Sequence, residues 1–174
     1  IYVVLKSTSK DLGDPGKDAR YGWGVINAFD AVRFNSGIQG YVVDSLTSEG
    51  IAGAKVTIKG TGRVRYTAEN GYYRFFAPPD NYTLTVSAFG YFAENVAVSV
   101  IENQWTIEDI TLDPLPRGFL TGVVTDNAHN PVDNATVSLL GTSLSTRADN
   151  AGSYALEAPI GSYNIKASAW GYES

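Results

Sequence analysis

The chain has 174 residues, which is enough for one ordinary domain or two small ones. Its net charge of −5 argues against a nucleic-acid-binding surface, and the absence of cysteine excludes disulfides, zinc–thiolate sites and a thiol nucleophile. The single histidine, His129, leaves little for metal binding or acid–base chemistry, and no apolar stretch approaches the roughly 18 residues of a membrane span.

Residues 1–34 differ in pattern from the rest of the chain. Apolar residues recur at helical spacing in the stretches 2–5 and 25–32, and a loop rich in glycine, proline and aspartate separates them. This spacing predicts a short helix–loop–helix segment. Because so few residues cannot build a core of their own, we expect residues 1–36 to be a helical cap or the end of a domain that lies upstream.

Apolar and polar residues alternate over residues 37–113, which is the period of β-strands. Turns rich in glycine, asparagine and proline separate the alternating runs. The pattern predicts seven strands, at 38–44, 54–59, 63–68, 72–77, 81–88, 92–100 and 105–112. A single antiparallel sheet of this size would leave one face uncovered, so a mainly β fold with a two-layer antiparallel sandwich is predicted.

A second copy of this module follows at an offset of 81 to 82 residues. The copies share glycine and tyrosine positions, among them the pairs Gly40 and Gly122, Gly71 and Gly152, Tyr73 and Tyr154, and Tyr82 and Tyr163. The segment 113–118 is predicted to be a short, stiff linker. The second module, residues 118–174, has no counterpart of the first module's last two strands, so we predict an incomplete second sandwich.

The segment 5–32, LKSTSKDLGDPGKDARYGWGVINAFDAV, resembles the closing segment of subtilisin-like serine protease (subtilase) catalytic domains. Members of that family show a helix, a DLG-x-PG-x-D loop, a YG-x-G turn and a last helix that contains an Asn-Ala or Asp-Ala pair. The matching positions are 11–13, 15–16, 18, 21–22, 24 and 27–28. The resemblance implies the tail of an α/β catalytic domain whose Asp, His and Ser triad lies upstream of Ile1.

Residues 37–174 resemble two carboxypeptidase regulatory-like domains, which are transthyretin-like β-sandwiches. Such domains share an A-x-V strand, a T-D-x-x-G-x-Y hairpin, a P-x-G-x-Y strand start and an aromatic-Gly-Tyr ending. The second copy keeps the hairpin and the strand start at 148–154 and 159–163, whereas the first has Ala68 at the hairpin aspartate. We predict that Asn81, which replaces the glycine of the strand start, adopts positive φ.

One segment imitates a catalytic motif. Residues 141–146, GTSLST, resemble the G-T-S-(M/L)-(A/S)-x-P segment that carries the nucleophilic serine of subtilases, with Ser143 in that serine's place. Arg147 replaces the expected proline, and the segment follows the family's closing segment instead of preceding it. A nucleophile also needs a base within hydrogen-bond reach, and we interpret His129 as an exposed loop residue. No catalytic, cofactor-binding or metal-binding residue is therefore predicted.

Two further features allow a functional interpretation beside a structural one. Asp11, Asp14 and Asp18 cluster in one loop and are a conceivable calcium site, although their spacing is not that of an EF-hand. Aromatic residues are abundant, and alternation places Tyr72 and Phe76 on the strand face opposite Tyr73 and Phe75, where exposed rings could stack on a sugar or a polymeric substrate. Filling of the core accounts for most of the aromatic residues.

These features together predict the C-terminal part of a secreted or cell-surface subtilisin-like serine endopeptidase that lacks the triad, is inactive alone and needs no cofactor. The sandwiches are then spacers, stabilisers or substrate-docking elements. The expected partners are the upstream catalytic domain of the same polypeptide and a protein or polysaccharide substrate. Two alternatives are a module that binds carbohydrate or a cell-wall polymer, and a structural stalk. Exposed coplanar rings with polar neighbours would favour the first, and evenly polar faces the second.

Overall fold

The computed structural model describes residues 9, 10, 12, 17, 19, 20, 23–25 and 35–172. The chain divides into two compact units, Ile1–Pro114 and Leu115–Ser174. The helix–loop–helix predicted for residues 1–36 lies for the most part outside the described residues; within it, Lys10 and Val25 pair through two backbone hydrogen bonds of 2.9 Å. The described residues include no helix long and apolar enough to cross a lipid bilayer.

The described part of the first unit is a sandwich-like arrangement of eight strands. These are β1 (Gly37–Asp44), β2 (Lys55–Ile58), β3 (Arg63–Tyr66), β4 (Tyr72–Phe76), β5 (Asp80–Ser87), β6 (Glu94–Val100), β7 (Trp105–Ile107) and β8 (Ile110–Leu112). One sheet has the order β3-β2-β5-β6; the other has the order β4-β1-β7, with β8 also paired to β1. The predicted mainly β, sandwich-type fold is confirmed. The pairs are antiparallel except that β7 and β8 run parallel to β1.

The strand predicted over 105–112 is two strands, since Glu108 and Asp109 belong to neither. A Cβ added to Gly40 would lie 1.9 Å from the Glu108 carbonyl oxygen, so this carbonyl lies directly over a residue that has no side chain. The amide of Glu108 donates to the Gln39 carbonyl at 2.8 Å, and Asp109 Oδ1 accepts a 2.8 Å hydrogen bond from the Tyr41 amide. Both short strands thereby keep their parallel pairing with β1.

The core of the first unit is formed by alternate residues of its strands. The fully buried members with the largest side chains are Ile38, Val42, Val56, Ile58, Tyr73, Phe75, Leu84, Val86 and Leu112. Strands β6 and β8 complete this core with Val98, Val100, Ile110 and Leu112, all of which are at most 5% exposed. Since each large apolar side chain that leaves water contributes about 1.5–3 kcal/mol, these two strands are a substantial part of the stability of the unit.

The second unit repeats the first with fewer strands. Its strands are β9 (Arg117–Val123), β10 (Thr136–Leu139), β11 (Ser145–Arg147), β12 (Ser153–Pro159) and β13 (Ile165–Ser168). They form a β11-β10-β13 sheet and a β12-β9 pair. Within residues 115–172 no strand corresponds to β6, β7 or β8. Buried apolar residues form two clusters of three, around Ala135 and around Leu139, in place of one continuous core.

The internal repeat is visible in equivalent hydrogen bonds. Tyr82 Oη donates to the Pro78 carbonyl at 2.9 Å, and Tyr163 Oη donates to the Pro159 carbonyl at 2.6 Å. In both units the residue two positions after this tyrosine pairs with the last residue of the neighbouring strand, Ile58 with Leu84 and Leu139 with Ile165. Corresponding residues of the two units can therefore be compared position by position.

Asn81 does not adopt the predicted positive φ. It lies in the extended strand β5 and is absent from the described non-glycine residues that have positive φ. Its Oδ1 accepts a 2.5 Å hydrogen bond from Ser99 Oγ on β6. The asparagine thus links two strands and does not form the turn.

The turn before β4 requires a glycine. Gly71 has φ of +82°, and a Cβ there would lie 2.4 Å from the Val42 carbonyl oxygen. We expect Gly71→Ala to lower the free energy of unfolding of the first unit by about 1–3 kcal/mol, because left-handed strain and a backbone clash act together. Urea denaturation measures this loss. Gly53→Ala is the matched control, since Gly53 has φ of +68° with nothing within 4 Å of its Cβ position. Equal losses in the two variants would contradict the role of the clash.

Candidate functional site

The structure places Ser143 in an exposed turn between β10 and β11. The turn is closed by Thr142, whose amide and Oγ1 donate to the Leu139 carbonyl at 3.2 and 3.0 Å. Thr61 makes the same two bonds to Ile58 in the first unit. His129 is exposed, with φ of +66°, in the loop after β9, and no hydrogen bond joins it to Ser143 among the described residues. The resemblance to a nucleophile motif therefore coincides with a turn that both units share.

We expect the isolated chain to remain unlabelled by a fluorophosphonate probe and to hydrolyse no peptide bond. A serine hydroxyl has little nucleophilic power without a positioned base, and Ser143 has none within hydrogen-bond reach among the described residues. Mass spectrometry of the probe-treated protein measures the labelling, with a subtilisin as the positive control. Covalent modification at Ser143 would contradict this assignment.

The acidic residues Asp11, Asp14 and Asp18 lie outside the described residues, so the calcium hypothesis stays a prediction. In the described part of the chain, no group of three or more His, Asp or Glu side chains is placed to hold a metal ion.

The outward side of the β4-β1-β7 sheet is the most distinctive surface of the first unit. Strand β4 turns Tyr73 and Phe75 inward, at 2% and 0% exposure, and therefore turns Tyr72, Arg74 and Phe76 outward. The register adds the outward residues of β1 and β7 to this surface. We call this surface the aromatic face; its side chains are Gln39, Tyr41, Tyr72, Arg74, Phe76, Trp105 and Ile107.

At one end of the aromatic face, two rings meet above a glycine. Phe76, Gly37 and Trp105 lie side by side on the three strands. The ring centroids of Phe76 and Trp105 are 4.9 Å apart with an interplanar angle of 73°. A Cβ on Gly37 would lie 2.6 Å from Trp105 Cζ3, so the indole occupies the space that a side chain would fill. The indole Nε1 donates to Asn35 Oδ1 at 2.8 Å, which fixes the orientation of the ring.

Arg74 occupies the centre of the aromatic face. Its Cζ lies 3.8 Å from the centroid of Trp105 and 5.0 Å from that of Phe76, which is cation–π geometry. The side chain is exposed, and no carboxylate of the described residues forms an ion pair with it. Stacking covers the flat side of the guanidinium and leaves its N–H edge available to a ligand.

Two tyrosines form the other end of the aromatic face. The rings of Tyr41 and Tyr72 are 5.5 Å apart and tilted by 58°. Tyr72 Oη donates to Gln39 Oε1 at 3.1 Å, which places a polar group between the tyrosine pair and Arg74. Because neither ring pair is coplanar, the face is a set of edges and clefts and not a flat aromatic platform.

Two hydrogen bonds hold strand β4, one from the side chain of its own Tyr73 and one to the carbonyl of its last residue, Phe76. Tyr73 Oη donates to the Glu108 carbonyl at 2.7 Å, and burial, with the charges of Glu108 and Asp109, raises the pKa of Tyr73 well above its usual value. Arg63 of the edge strand β3 donates from Nη2 to the Phe76 carbonyl, and burial lowers its pKa. An arginine that points into the gap between the sheets at an edge also discourages strand addition there. Strand β4, which carries three side chains of the aromatic face, is therefore held by hydrogen bonds to both sheets.

The second unit lacks this surface. The positions equivalent to Tyr41, Tyr72, Arg74 and Phe76 are Val123, Ser153, Ala155 and Glu157, on strands paired in the same register. Glu157 Oε1 is ion-paired at 2.8 Å with Arg117 Nε. The two units thus share a scaffold, and the guanidinium stacked on rings is a feature of the first.

Alternation correctly predicted that Tyr72 and Phe76 face outward. The same alternation also carries Arg74, which lies between the buried Tyr73 and Phe75, but sequence reasoning did not use it. The partners contributed by β1 and β7 were missed, because the parallel pairing of Gly37 with Trp105 has no signal in a single sequence.

Comparison with protein families gives a match over both modules. A model described as the carboxypeptidase regulatory-like domain matches residues 37–113 and 120–174. Bacillopeptidase F of Bacillus subtilis (strain 168) is 33% identical over 125 residues, which are 70% of this chain and 9% of that protein. The chain thus spans a small part of that relative's length.

Solved structures with similar arrangements include two bacterial proteins. A Streptococcal ancillary pilin has a TM-score of 0.44 at 14% identity, and the match covers 78% of this chain and 59% of the pilin. Fervidolysin from Fervidobacterium pennivorans, described as a keratinolytic enzyme related to subtilisin, has a TM-score of 0.41 at 13% identity, and the match covers 94% of this chain and 28% of that one.

Proposed function

The chain belongs to the carboxypeptidase regulatory-like domain family, and we propose that it is the C-terminal accessory region of a secreted subtilisin-like serine endopeptidase. The observation that carries the proposal is the 33% identity over 125 residues to part of a protein named as a peptidase, Bacillopeptidase F. Residues 5–32 resemble the closing segment of subtilase domains, which supports a polypeptide in which the catalytic domain comes first and the sandwiches follow it. The catalytic triad then belongs to residues outside this chain.

Within such an enzyme, the first sandwich docks the protein substrate. The support is the aromatic face, because a purely structural stalk has no use for exposed rings, Tyr41 and Phe76, beside a cation without a counter-charge. The second sandwich exposes one ring on the equivalent face, Phe119, but has no unpaired arginine there among the described residues, and it acts as a spacer or stabiliser.

Carbohydrate binding is the weaker alternative for the same surface. Stacking of a sugar polymer requires open ring faces that lie side by side, whereas the ring pairs here are tilted by 58° and 73°. Arg74 also covers the Trp105 ring, with its Cζ 3.8 Å from the centroid. The tilts and the stacked cation favour a polypeptide ligand over a polymer of sugar rings.

The decisive test is the reading frame upstream of Ile1. We expect it to encode, in order, a D-(S/T)-G motif, an H-G-T motif and a G-T-S-x-(A/S)-x-P motif, which supply the aspartate, histidine and serine of the triad. Substitution of that upstream serine by alanine should then abolish casein hydrolysis by the complete protein. A frame without these three motifs would overturn the endopeptidase proposal.

A further inference from the structure

We propose that the aromatic face binds an acidic side chain of an extended polypeptide, with the carboxylate on the N–H edge of Arg74 and the neighbouring apolar side chains on Phe76 and Ile107. The inference deepens the proposed docking role and rests on it for its biological setting. It adds a ligand class and the residue that recognises the charge.

The Arg74 side chain is stacked and lacks a counter-charge within the described part of the chain. Its guanidinium lies 3.8 Å from the Trp105 centroid and has no carboxylate partner among the described residues, although the chain as a whole has a net charge of −5. A stacked guanidinium has lost much of its conformational freedom and presents two parallel N–H groups in one plane. That edge matches the two oxygens of a carboxylate, which is the strongest common acceptor for such a fork.

Exposed apolar side chains surround this cation. Ile107 is 70% exposed, Tyr41 43% and Phe76 40%, and all three lie on the same side of the sheet as Arg74. Rigid aromatic residues with one arginine at their centre are the composition of energetic hot spots in protein interfaces. In an extended peptide, the side chains two positions before and after a glutamate point to the same side as its carboxylate, about 6.6 Å away along the chain, and can reach such flanking apolar groups.

The equivalent face of the second unit differs in its arginine. There, Ala155 occupies the position of Arg74, and the nearby Arg117 is already ion-paired with Glu157 at 2.8 Å. That face also exposes a ring, Phe119 at the position of Gly37, but the described residues place no unpaired arginine beside it. The uncompensated arginine of the first unit therefore points to a charge supplied by a ligand.

The test uses the full chain and a fluorescein-labelled peptide of sequence GSIEFIEFSG. Its counterpart GSIQFIQFSG has the same shape without the charge, and a hexamer of N-acetylglucosamine represents the carbohydrate class. Fluorescence anisotropy gives the dissociation constant of each peptide, and nuclear magnetic resonance follows the indole N–H of Trp105 with each ligand. Trp170, which is 99% exposed and lies in the second unit, serves as the internal reference signal.

We expect the glutamate peptide to bind and to shift the Trp105 signal. Arg74→Gln should weaken its binding at least about tenfold, because a charge-assisted bidentate contact is lost. Arg74→Lys should also weaken it, since an ammonium has no planar fork. Arg65→Gln is the matched control: it removes the same charge from β3, which belongs to the other sheet, and should change binding by about twofold at most. The melting midpoint of each variant checks its folding.

Three results would overturn the inference: equal binding of the glutamate and glutamine peptides, equal effects of Arg74→Gln and Arg65→Gln, or a Trp105 shift with the sugar hexamer alone. Each of these leaves the endopeptidase proposal standing, because that proposal depends on the upstream motifs. Conversely, selective binding of the glutamate peptide together with a frame that lacks the triad motifs would retain the peptide site and reject the protease setting.

Discussion

In calorimetry of the full chain we expect two unfolding transitions, with the second unit melting well below the first. The residues of the first unit that β6 and β8 bury, Val98, Val100, Ile110 and Leu112, have no counterparts among the described residues of the second. At about 1.5–3 kcal/mol for each side chain, their absence is comparable with the net stability of a whole domain, about 5–15 kcal/mol. The second unit should therefore be marginal as it stands.

Strands copied from the first unit should supply the apolar burial that the second unit lacks. Joining a copy of residues 92–112 after Tyr172 continues the second unit in the way that the first unit continues after the equivalent Tyr91. We expect this addition to raise the lower melting temperature by more than about 10 °C, since each kcal/mol is worth about 4–8 °C in a unit of this size. The upper transition should not move.

Two controls separate burial from chain length. A copy of residues 92–112 in which the four core positions are serine has the same length and should give little increase, because serine supplies no apolar cover. Gly71→Ala in the first unit identifies which transition belongs to which unit, since only the upper one should fall. A second unit that melts with the first, or above it, would show that its five strands are sufficient.

The alternation of apolar residues predicted the strands of the first unit with small errors at their ends, because burial of one strand face is a local property of the sequence. It could not predict the break at Glu108, which depends on how closely that backbone approaches Gly40 on a distant strand. Turn chemistry was harder to interpret. The sequence predicts positive φ at Asn81, yet this residue lies in β5, where it pairs with Ser99 of β6 and accepts a hydrogen bond from its hydroxyl.

In the aromatic face, too, features that depend on adjacent residues follow from the sequence, and contacts between distant residues do not. The outward direction of Tyr72 follows from its neighbours in the strand, whereas the contact of Arg74 with Trp105 joins residues that are 31 positions apart in the sequence. Gly37 makes this contact possible by leaving space for the indole. A single sequence gives no measure of that space, so the outward direction of Tyr72 and Phe76 was predictable and the stacking of Arg74 on Trp105 was not.

Truncation of equivalent apolar residues in the two units should give very different losses of stability. Leu84 on β5 and Ile165 on β13 hold equivalent positions, but Leu84 is 0% exposed and Ile165 is 45% exposed. We expect Leu84→Ala to cost about 2–5 kcal/mol, because it removes buried methyl groups and leaves a cavity that the surrounding core fills only in part.

Ile165→Ala should cost well under about 1.5 kcal/mol, since much of the isoleucine side chain is already in water and its removal leaves an open surface and no cavity. Urea titration of both variants, each followed through the transition of its own unit, measures the two losses. In the protein extended with residues 92–112, the cost of Ile165→Ala should rise towards that of Leu84→Ala, because the new strands bury the isoleucine. Equal costs in the unextended chain would show that β13 is covered in solution, and an unchanged cost after extension would show that the added strands do not pack on it.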